Sequence, residues 1–218
     1  FGALKNDHLV HDPARALLAA FEPDLPEVRR EWAQYHDLLT QADARYQVRL
    51  DELAADGLLD DTIIVVTSDH GCGMARYKRM PYDSGLHVPL ILVIPDKFRH
   101  LAPRDYAPGG HSERLVSTVD FGPTMLSLAG LRPPEYQQGR AFAGRYAAAP
   151  RAFLHGGRGR MDERHDLMRS TRDKRYVYIR SYDPHRIYGQ HVDYAWSLPS
   201  TPIWERLHSD GKLQPPQT

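Results

Sequence analysis

The sequence predicts an α/β fold followed by a small antiparallel α+β subdomain, and three observations support this prediction. A long stretch with apolar residues every three or four positions ends at Gly57, as is typical of an amphipathic helix. A run of mostly β-branched residues from Thr62 to Thr67 follows and stops abruptly at polar side chains, as a buried strand does. The last third of the chain changes to short alternating segments separated by turn residues, which indicates antiparallel strands.

The first elements are an entry loop and a long helix. Pro13 and Pro23 predict an extended entry, and this loop contains His8, His11 and Asp12. Asp24 and Glu27 have the spacing of a capping box at the start of the helix. The predicted apolar face consists of Val28, Trp32, Tyr35, Leu39, Ala42, Tyr46, Leu50 and Leu53. Because a strand follows this helix, we expect one crossover unit of a parallel sheet.

Polar side chains follow the predicted strand at its carboxyl end, in the order Asp69, His70, Gly71. Open α/β sheets bind their ligands at that edge. Asp69 offers a carboxylate and His70 a ring nitrogen, which suit a divalent cation, and Gly71 allows the backbone to turn sharply. The same tripeptide also fits a plain turn with a hydrogen-bonded histidine, so the residues alone leave both interpretations open.

Lys78 comes next, and a second apolar strand is predicted over 89–95. Residues 96–113 are rich in proline, glycine and charge, which predicts a surface loop. The following segment predicts a short strand and then a helix that ends at Gly130. Asp120 has the position of an N-cap residue for that helix rather than of a catalytic residue.

The predicted subdomain contains strands at 152–155, 165–171 and 175–182 and a helix at 201–208 that packs on them. Its turns and flanks carry Arg158, Arg160, His165 and His185. From the residues alone, an exposed hairpin with surface ion pairs is the favoured interpretation of these four side chains. A rim that binds an anionic sugar is the alternative.

Composition excludes several classes of protein. Lysine plus arginine and aspartate plus glutamate number 28 each, so the surface has no overall field to attract nucleic acid or an acidic membrane. Cys72 is the single cysteine, which rules out an internal disulfide framework. No apolar run reaches the length of a membrane span. Because the chain begins with Phe1, we expect a processed or truncated product.

Several motifs in order resemble the sulfatase family of the alkaline-phosphatase superfamily. The matching segments are Pro23-Asp24-Leu25-Pro26, Gly57-Leu58-Leu59-Asp60-Asp61-Thr62, Ser68-Asp69-His70-Gly71, Lys78, Tyr82 through Pro89, and Leu115 through Gly130. The resemblance implies an alkaline-phosphatase-like parallel-sheet sandwich, of which this chain is the C-terminal part. It places the catalytic α/β domain at residues 1–146 and the antiparallel-sheet subdomain at 147–218.

The resemblance also implies a metal-dependent sulfuric ester or sulfamate hydrolase of the formylglycine type. Asp69 and His70 correspond to metal ligands and Lys78 to a catalytic residue. Calcium is the metal that the family implies, whereas an imidazole ligand also suits manganese or zinc. Cys72 follows the Asp69-His70 pair, and Met74 stands where the family's nucleophile motif requires proline or alanine. We therefore expect the nucleophile on a missing N-terminal half, present as a separate segment or chain.

The substrate that the resemblance implies is a sulfated small molecule or a sulfated sugar. The tail is similar to bacterial heparan N-sulfatase-like enzymes, which implies substrate-binding roles for Arg158, Arg160, His165 and His185. His87 stands at the family's arginine position and is a further candidate for substrate binding. Uncovered sheet edges predict a partner segment or a homo-oligomer. A periplasmic or secreted location follows from the family alone.

Two alternatives stay open. Phosphoester and phosphonate hydrolases of the same superfamily share the Asp-His-Gly loop, and phosphate and sulfate are similar tetrahedral anions. A chain without its nucleophile is also compatible with a catalytically inactive fragment or with one chain of a two-chain protein.

Overall fold

The structure is a computed structural model that describes residues 9–215, so the predicted loop residue His8 lies outside the described part. The chain forms two compact units. The first consists of the described parts of residues 1–56, 73–75 and 188–218, and the second of residues 57–72 and 76–187. The division predicted at residues 146 and 147 stays a prediction.

The element order alternates helices and short strands, as the sequence predicts. The helices are α1 (Pro26–Ala55), α2 (Asp83–Leu86), α3 (Phe121–Leu128), α4 (Asp193–Trp196) and α5 (Ser200–Ser209). The strands are β1 (Ile64–Thr67), β2 (Leu90–Val93), β3 (Leu154–Arg158), β4 (Met168–Arg172) and β5 (Val177–Ser181). No helix within residues 9–215 combines the length and the apolar character that crossing a bilayer requires.

Helix α1 has the predicted extent, but only its first turns are buried. Val28, Trp32 and Ala33 lie in the core, whereas Leu39 and Tyr46 are about half exposed. The apolar face predicted along the whole helix is therefore covered only near its N-terminus. The predicted capping box is also wrong, because Leu25 is the N-cap without a side-chain hydrogen bond.

Buried carboxylates connect the elements of the first unit. Glu22 accepts a hydrogen bond from Trp32 Nε1 at 2.9 Å, and Glu31 accepts one from the backbone N–H of Ser200 at 2.9 Å. The second bond joins α1 to the start of α5. The sequence predicts α5 on the small sheet, but α5 belongs to the same unit as α1. Asp37 holds the entry loop by accepting hydrogen bonds from the backbone and the ring of His11.

In the second unit, β1 and β2 pair antiparallel, with Ile64 opposite Val93 and Thr67 opposite Leu90. Within residues 9–215 no strand pairs parallel with β1, so the parallel partner predicted through the preceding helix is not among the described strands. A parallel return needs a crossover of a dozen or more residues, usually through a helix. Between β1 and β2 the chain forms the four-residue helix α2 and folded loops, without the long crossover helix that usually makes a parallel return.

Helix α3 is held by the buried carboxylate of Asp120. A 3₁₀ turn over Thr118–Asp120 precedes the helix, and Asp120 forms a capping box with Ser117. Its carboxylate also accepts a hydrogen bond from the backbone N–H of Arg140 at 2.7 Å and pairs with Arg151. Asp120 is the N-cap residue of α3, as predicted, but its carboxylate bonds to Ser117 and Arg140 rather than to that helix. The short strand predicted before it does not form.

The subdomain sheet has the order β3-β4-β5, and both pairs are antiparallel, as predicted. Its residues alternate between two faces. The inner face includes Met168 and Ser170, which are buried, and Gly156, which approaches the side chain of Leu86. This contact places the sheet beside α2 within the second unit.

Candidate functional site

Asp69 and His70 lie in the loop that leaves the carboxyl end of β1, where the sequence places them. The side chain of Asp69 is 85% exposed and that of His70 is 39% exposed, with 3.5 Å between Asp69 Oδ2 and His70 Nε2. His70 Nδ1 lies 2.8 Å from the carbonyl oxygen of Gly71. The carbonyl only accepts, so Nδ1 donates this hydrogen bond, and in the neutral tautomer Nε2 is the ring nitrogen with a lone pair.

This geometry fits a metal-binding pair. Metal-bound histidines commonly donate their second ring N–H to a backbone carbonyl, which fixes the tautomer and the ring orientation. Within residues 9–215, no group of three or more histidine, cysteine or acidic side chains is arranged to hold a metal. A metal held by Asp69 and His70 would therefore need further donors.

Two glycines hold this loop against the segment that precedes β2. A Cβ atom at Gly71 would lie 2.3 Å from the carbonyl oxygen of Ser84, and one at Gly85 would lie 2.3 Å from the carbonyl oxygens of Tyr77 and Met80. The backbone N–H of Gly71 donates to the carbonyl of Gly85 at 3.2 Å. Only residues without a side chain permit this approach, which fixes His70 relative to α2.

Lys78 lies in a tightly folded segment, the Lys78 loop, which comprises residues 76–82. The backbone N–H of Lys78 donates to the carbonyl of Cys72 at 2.9 Å, so the chain folds back toward the end of the Asp69-His70 loop. Arg76 and Arg79 have φ values of 68° and 74°. Such conformations cost free energy for residues with a side chain and persist only where the surroundings impose them.

Side chains from the β3–β4 connection supply part of that restraint. Arg79 donates from Nε to Asp162 Oδ2 at 2.7 Å, and its Nη2 lies 2.6 Å from the same oxygen. Arg158 Nη1 lies 2.8 Å from Met80 Sδ. No sequence signal identifies Arg79 or Asp162, because no local pattern links residues separated by 83 positions.

The predicted substrate-binding residues fall into separate places. Arg158 is 2% exposed, and its Nε lies 3.4 Å from the buried Asp166, so it does not belong to an exposed rim. Arg158 is buried because the alternation of β3 directs its side chain to the inner face of the sheet. His87 is exposed and lies 3.4 Å from Asp83, which also pairs with Arg172.

His165 and His185 meet at one carboxylate. Asp183 lies 4.0 Å from His165 Nε2 and 3.1 Å from His185 Nδ1, and it accepts a hydrogen bond from Arg186 at 2.6 Å. The bond from Arg186 holds the pKa of Asp183 below its usual value. Arg160 is exposed. The structure thus brings two of the five predicted substrate-binding residues together, beside the Asp183 carboxylate.

A family profile and several known proteins match this chain. The sulfatase family profile matches residues 6–131. The chain is 39% identical over 198 residues to an ulvan-active sulfatase of Formosa agariphila, covering 89% of this chain and 32% of that protein. It is 29% identical over 126 residues to human N-sulphoglucosamine sulphohydrolase, covering 58% of this chain and 24% of that protein. The chain thus spans a third or less of these relatives.

Solved structures show the same fold at low sequence identity. One, in complex with its substrate D-glucosamine-2-N,6-O-disulfate, superposes with a TM-score of 0.55 at 21% identity, covering 91% of this chain and 45% of the other. The yidJ protein of Bacteroides fragilis superposes with a TM-score of 0.58 at 20% identity, covering 88% and 46%. These similarities confirm the predicted α/β fold class.

Proposed function

This chain belongs to the sulfatase family, and we propose that the protein of which it forms a part hydrolyses sulfate esters or sulfamates with a bound divalent metal. The observation that carries the proposal is the position of Asp69 Oδ2 3.5 Å from Nε2 of His70 at the end of β1, while Nδ1 of the same ring bonds the Gly71 carbonyl. Two glycine contacts hold this pair in place.

In this proposal each residue has a defined task. Asp69 and His70 would be two of the metal ligands, and the bound ion would supply positive charge to polarise sulfate oxygens. The ammonium group of Lys78 neutralises negative charge that develops on those oxygens and on the leaving group. Gly71 and Gly85 keep the Asp69-His70 loop and the Lys78 loop in register.

Calcium is the metal that we propose. It binds six to eight oxygen ligands, and carboxylates such as Asp69 are its usual protein ligands. The imidazole of His70 is softer than calcium prefers, so manganese and zinc are the metals to compare. Metal analysis of the purified protein identifies the ion.

The formylglycine nucleophile and the remaining acidic ligands come, in this proposal, from a further segment or chain. The coverage supports this, because the sulfatase of Formosa agariphila extends far beyond the 32% that matches here. The 218-residue chain alone should therefore be inactive on sulfate esters. Intact mass analysis of the whole preparation tests this, since a companion species with a cysteine-to-formylglycine mass loss is expected wherever activity is present.

The metal assignment is tested with Asp69→Ala in the complete protein, measured by metal stoichiometry and by turnover of an aryl sulfate. The variant should lose both. Asp96→Ala is the matched control, because Asp96 is an exposed carboxylate of the same unit, in a surface ion pair with Arg99. Retention of stoichiometric metal by Asp69→Ala would refute the ligand assignment. Strong preference for aryl phosphate over aryl sulfate would instead assign the protein to the phosphoester hydrolases.

A further inference from the structure

The outer face of the subdomain sheet carries charges that folding does not explain. This outer face comprises His155 and Gly157 of β3, Arg169 and Thr171 of β4, and Tyr178 and Arg180 of β5. The strand register places Gly157, Arg169 and Arg180 in one cross-strand row and His155, Thr171 and Tyr178 in the next. The face looks away from Leu86, which packs at Gly156 on the inner side.

Arg169 and Arg180 are directly opposite each other in this register, and both are exposed. Like charges at directly opposed positions of an antiparallel pair are destabilising. Within the described part of the chain, neither arginine has an ion pair with a carboxylate. Arg169 donates only to the neighbouring carbonyl of Met168, at 2.8 Å. An anion bound between the two guanidinium groups would turn their repulsion into attraction.

The surroundings of the two arginines favour a sugar-bound anion. The side chain of Arg169 lies over Gly157, where an added Cβ would be 3.3 Å from Nη1. Arg180 stacks on Tyr182, with 4.8 Å from Cζ to the ring centroid. Tyr178 is 66% exposed in the adjacent row, about 7 Å from the arginine row by strand geometry. Exposed aromatic rings offer apolar faces to the C–H groups of sugars, and guanidinium forks match the oxygens of sulfate.

We propose that this outer face binds a sulfated polysaccharide, with Arg169 and Arg180 on one sulfate group and Tyr178 against a neighbouring sugar ring. Nucleic acid is the less suitable polyanion, because the chain has 28 basic and 28 acidic residues rather than an extended basic surface. The proposal rests on the proposed function only for the chemical class of the ligand. It assigns to the outer face the capture of a polymeric substrate.

The test is affinity electrophoresis of the complete protein in gels that contain dextran sulfate, unsulfated dextran or single-stranded DNA. Dextran sulfate alone should retard the protein. The double variant Arg169→Gln/Arg180→Gln should bind dextran sulfate about tenfold more weakly, since two charge-assisted contacts are lost. Tyr178→Ser should weaken binding about threefold, as expected for one lost ring contact.

The matched control is Arg45→Gln/Arg49→Gln, which removes the same charge from exposed positions of α1 and should change binding less than about twofold. Equal retardation of both double variants, or retardation by DNA as strong as by dextran sulfate, would overturn the proposal. The melting temperature of Arg169→Gln/Arg180→Gln should be unchanged or higher, because a repulsion is removed. A lower one would assign the arginines to folding instead.

Binding and turnover separate this proposal from the proposed function. All these variants should hydrolyse a small aryl sulfate at the rate of the unmodified protein. Loss of aryl sulfate turnover in the unmodified protein, with retardation intact, would contradict the proposed function alone. Normal turnover without retardation would contradict only the polysaccharide surface.

Discussion

Gly71 contacts the Ser84-Gly85 backbone, so Gly71→Ala is the sharpest test of how the Asp69-His70 loop is held. The added Cβ would lie 2.3 Å from the Ser84 carbonyl oxygen and 3.0 Å from Gly85 Cα. The backbone must move by about 0.7 Å or more to reach even the closest tolerated contact near 3.0 Å. Overpacking of this kind costs about 1–3 kcal/mol. Alanine restricts the unfolded chain more than glycine does, and this offsets about 0.4–1 kcal/mol of the cost.

We therefore expect Gly71→Ala to lower the free energy of unfolding by about 1–2 kcal/mol. Metal affinity should fall about 10–100-fold, because the carbonyl that receives His70 Nδ1 moves with the loop. Urea unfolding and metal titration of the complete protein measure the two effects.

Gly159→Ala is the matched control, since its added Cβ meets nothing within 4 Å and its φ is not positive. This variant should be neutral or more stable by about 0.4–1 kcal/mol, with unchanged metal affinity. If Gly71→Ala behaved like Gly159→Ala in both measurements, the close approach would not hold the loop, and the reasoning would be refuted.

Three further predictions concern other contacts. Asp120→Ala should lower the free energy of unfolding by about 3–5 kcal/mol, because it leaves Arg151 without its carboxylate, and urea unfolding measures this loss. Asp162→Asn should lower kcat for an aryl sulfate severalfold with less effect on KM, because the Arg79 pair restrains the Lys78 loop; Asp162→Glu should restore part of the rate. Burial raises the pKa of Glu31. The unfolded state therefore releases this proton at lower pH than the folded state, and Glu31→Gln should be the more stable protein at pH 7 but not at pH 4.

Each of these predictions has an outcome that would contradict it. Asp96→Ala, at an exposed ion pair, should cost less than about 1 kcal/mol. A similarly small cost for Asp120→Ala would show that the buried contacts of Asp120 do not stabilise the fold. Equal losses for Asp162→Asn and Asp162→Glu in kcat and KM together would indicate general damage. A stability advantage of Glu31→Gln that is the same at pH 4 and pH 7 would show that ionisation is not its cause.

Much of the candidate site was predictable from the sequence because its signals are local. The β-branched run and the polar residues after it predict a strand and a ligand-bearing loop without knowledge of any distant contact. Asp120 as a helix cap follows from the residues around it. The antiparallel tail follows from alternation, and β3, β4 and β5 overlap the three predicted strands, although β3 continues to Arg158, beyond its predicted end at residue 155.

The features that the sequence did not predict depend instead on partners far along the chain. The pairing of β1 with β2 was decided by how the intervening loop folds, which alternation does not encode. The exposure of Leu39 and Tyr46 depends on which segments cover α1, and an apolar pattern alone does not supply a cover.

The sequence by itself determined which residues are the candidates for chemistry, namely a carboxylate and an imidazole after a strand and a lysine shortly beyond. Tertiary structure decided how they are held. It set the tautomer of His70 through the Gly71 carbonyl, joined Arg79 to Asp162 across 83 positions, and buried Arg158 while leaving Arg169 and Arg180 exposed. The physical reason is that residue type and periodicity act along the chain, whereas hydrogen bonding and burial depend on segments that meet only after folding.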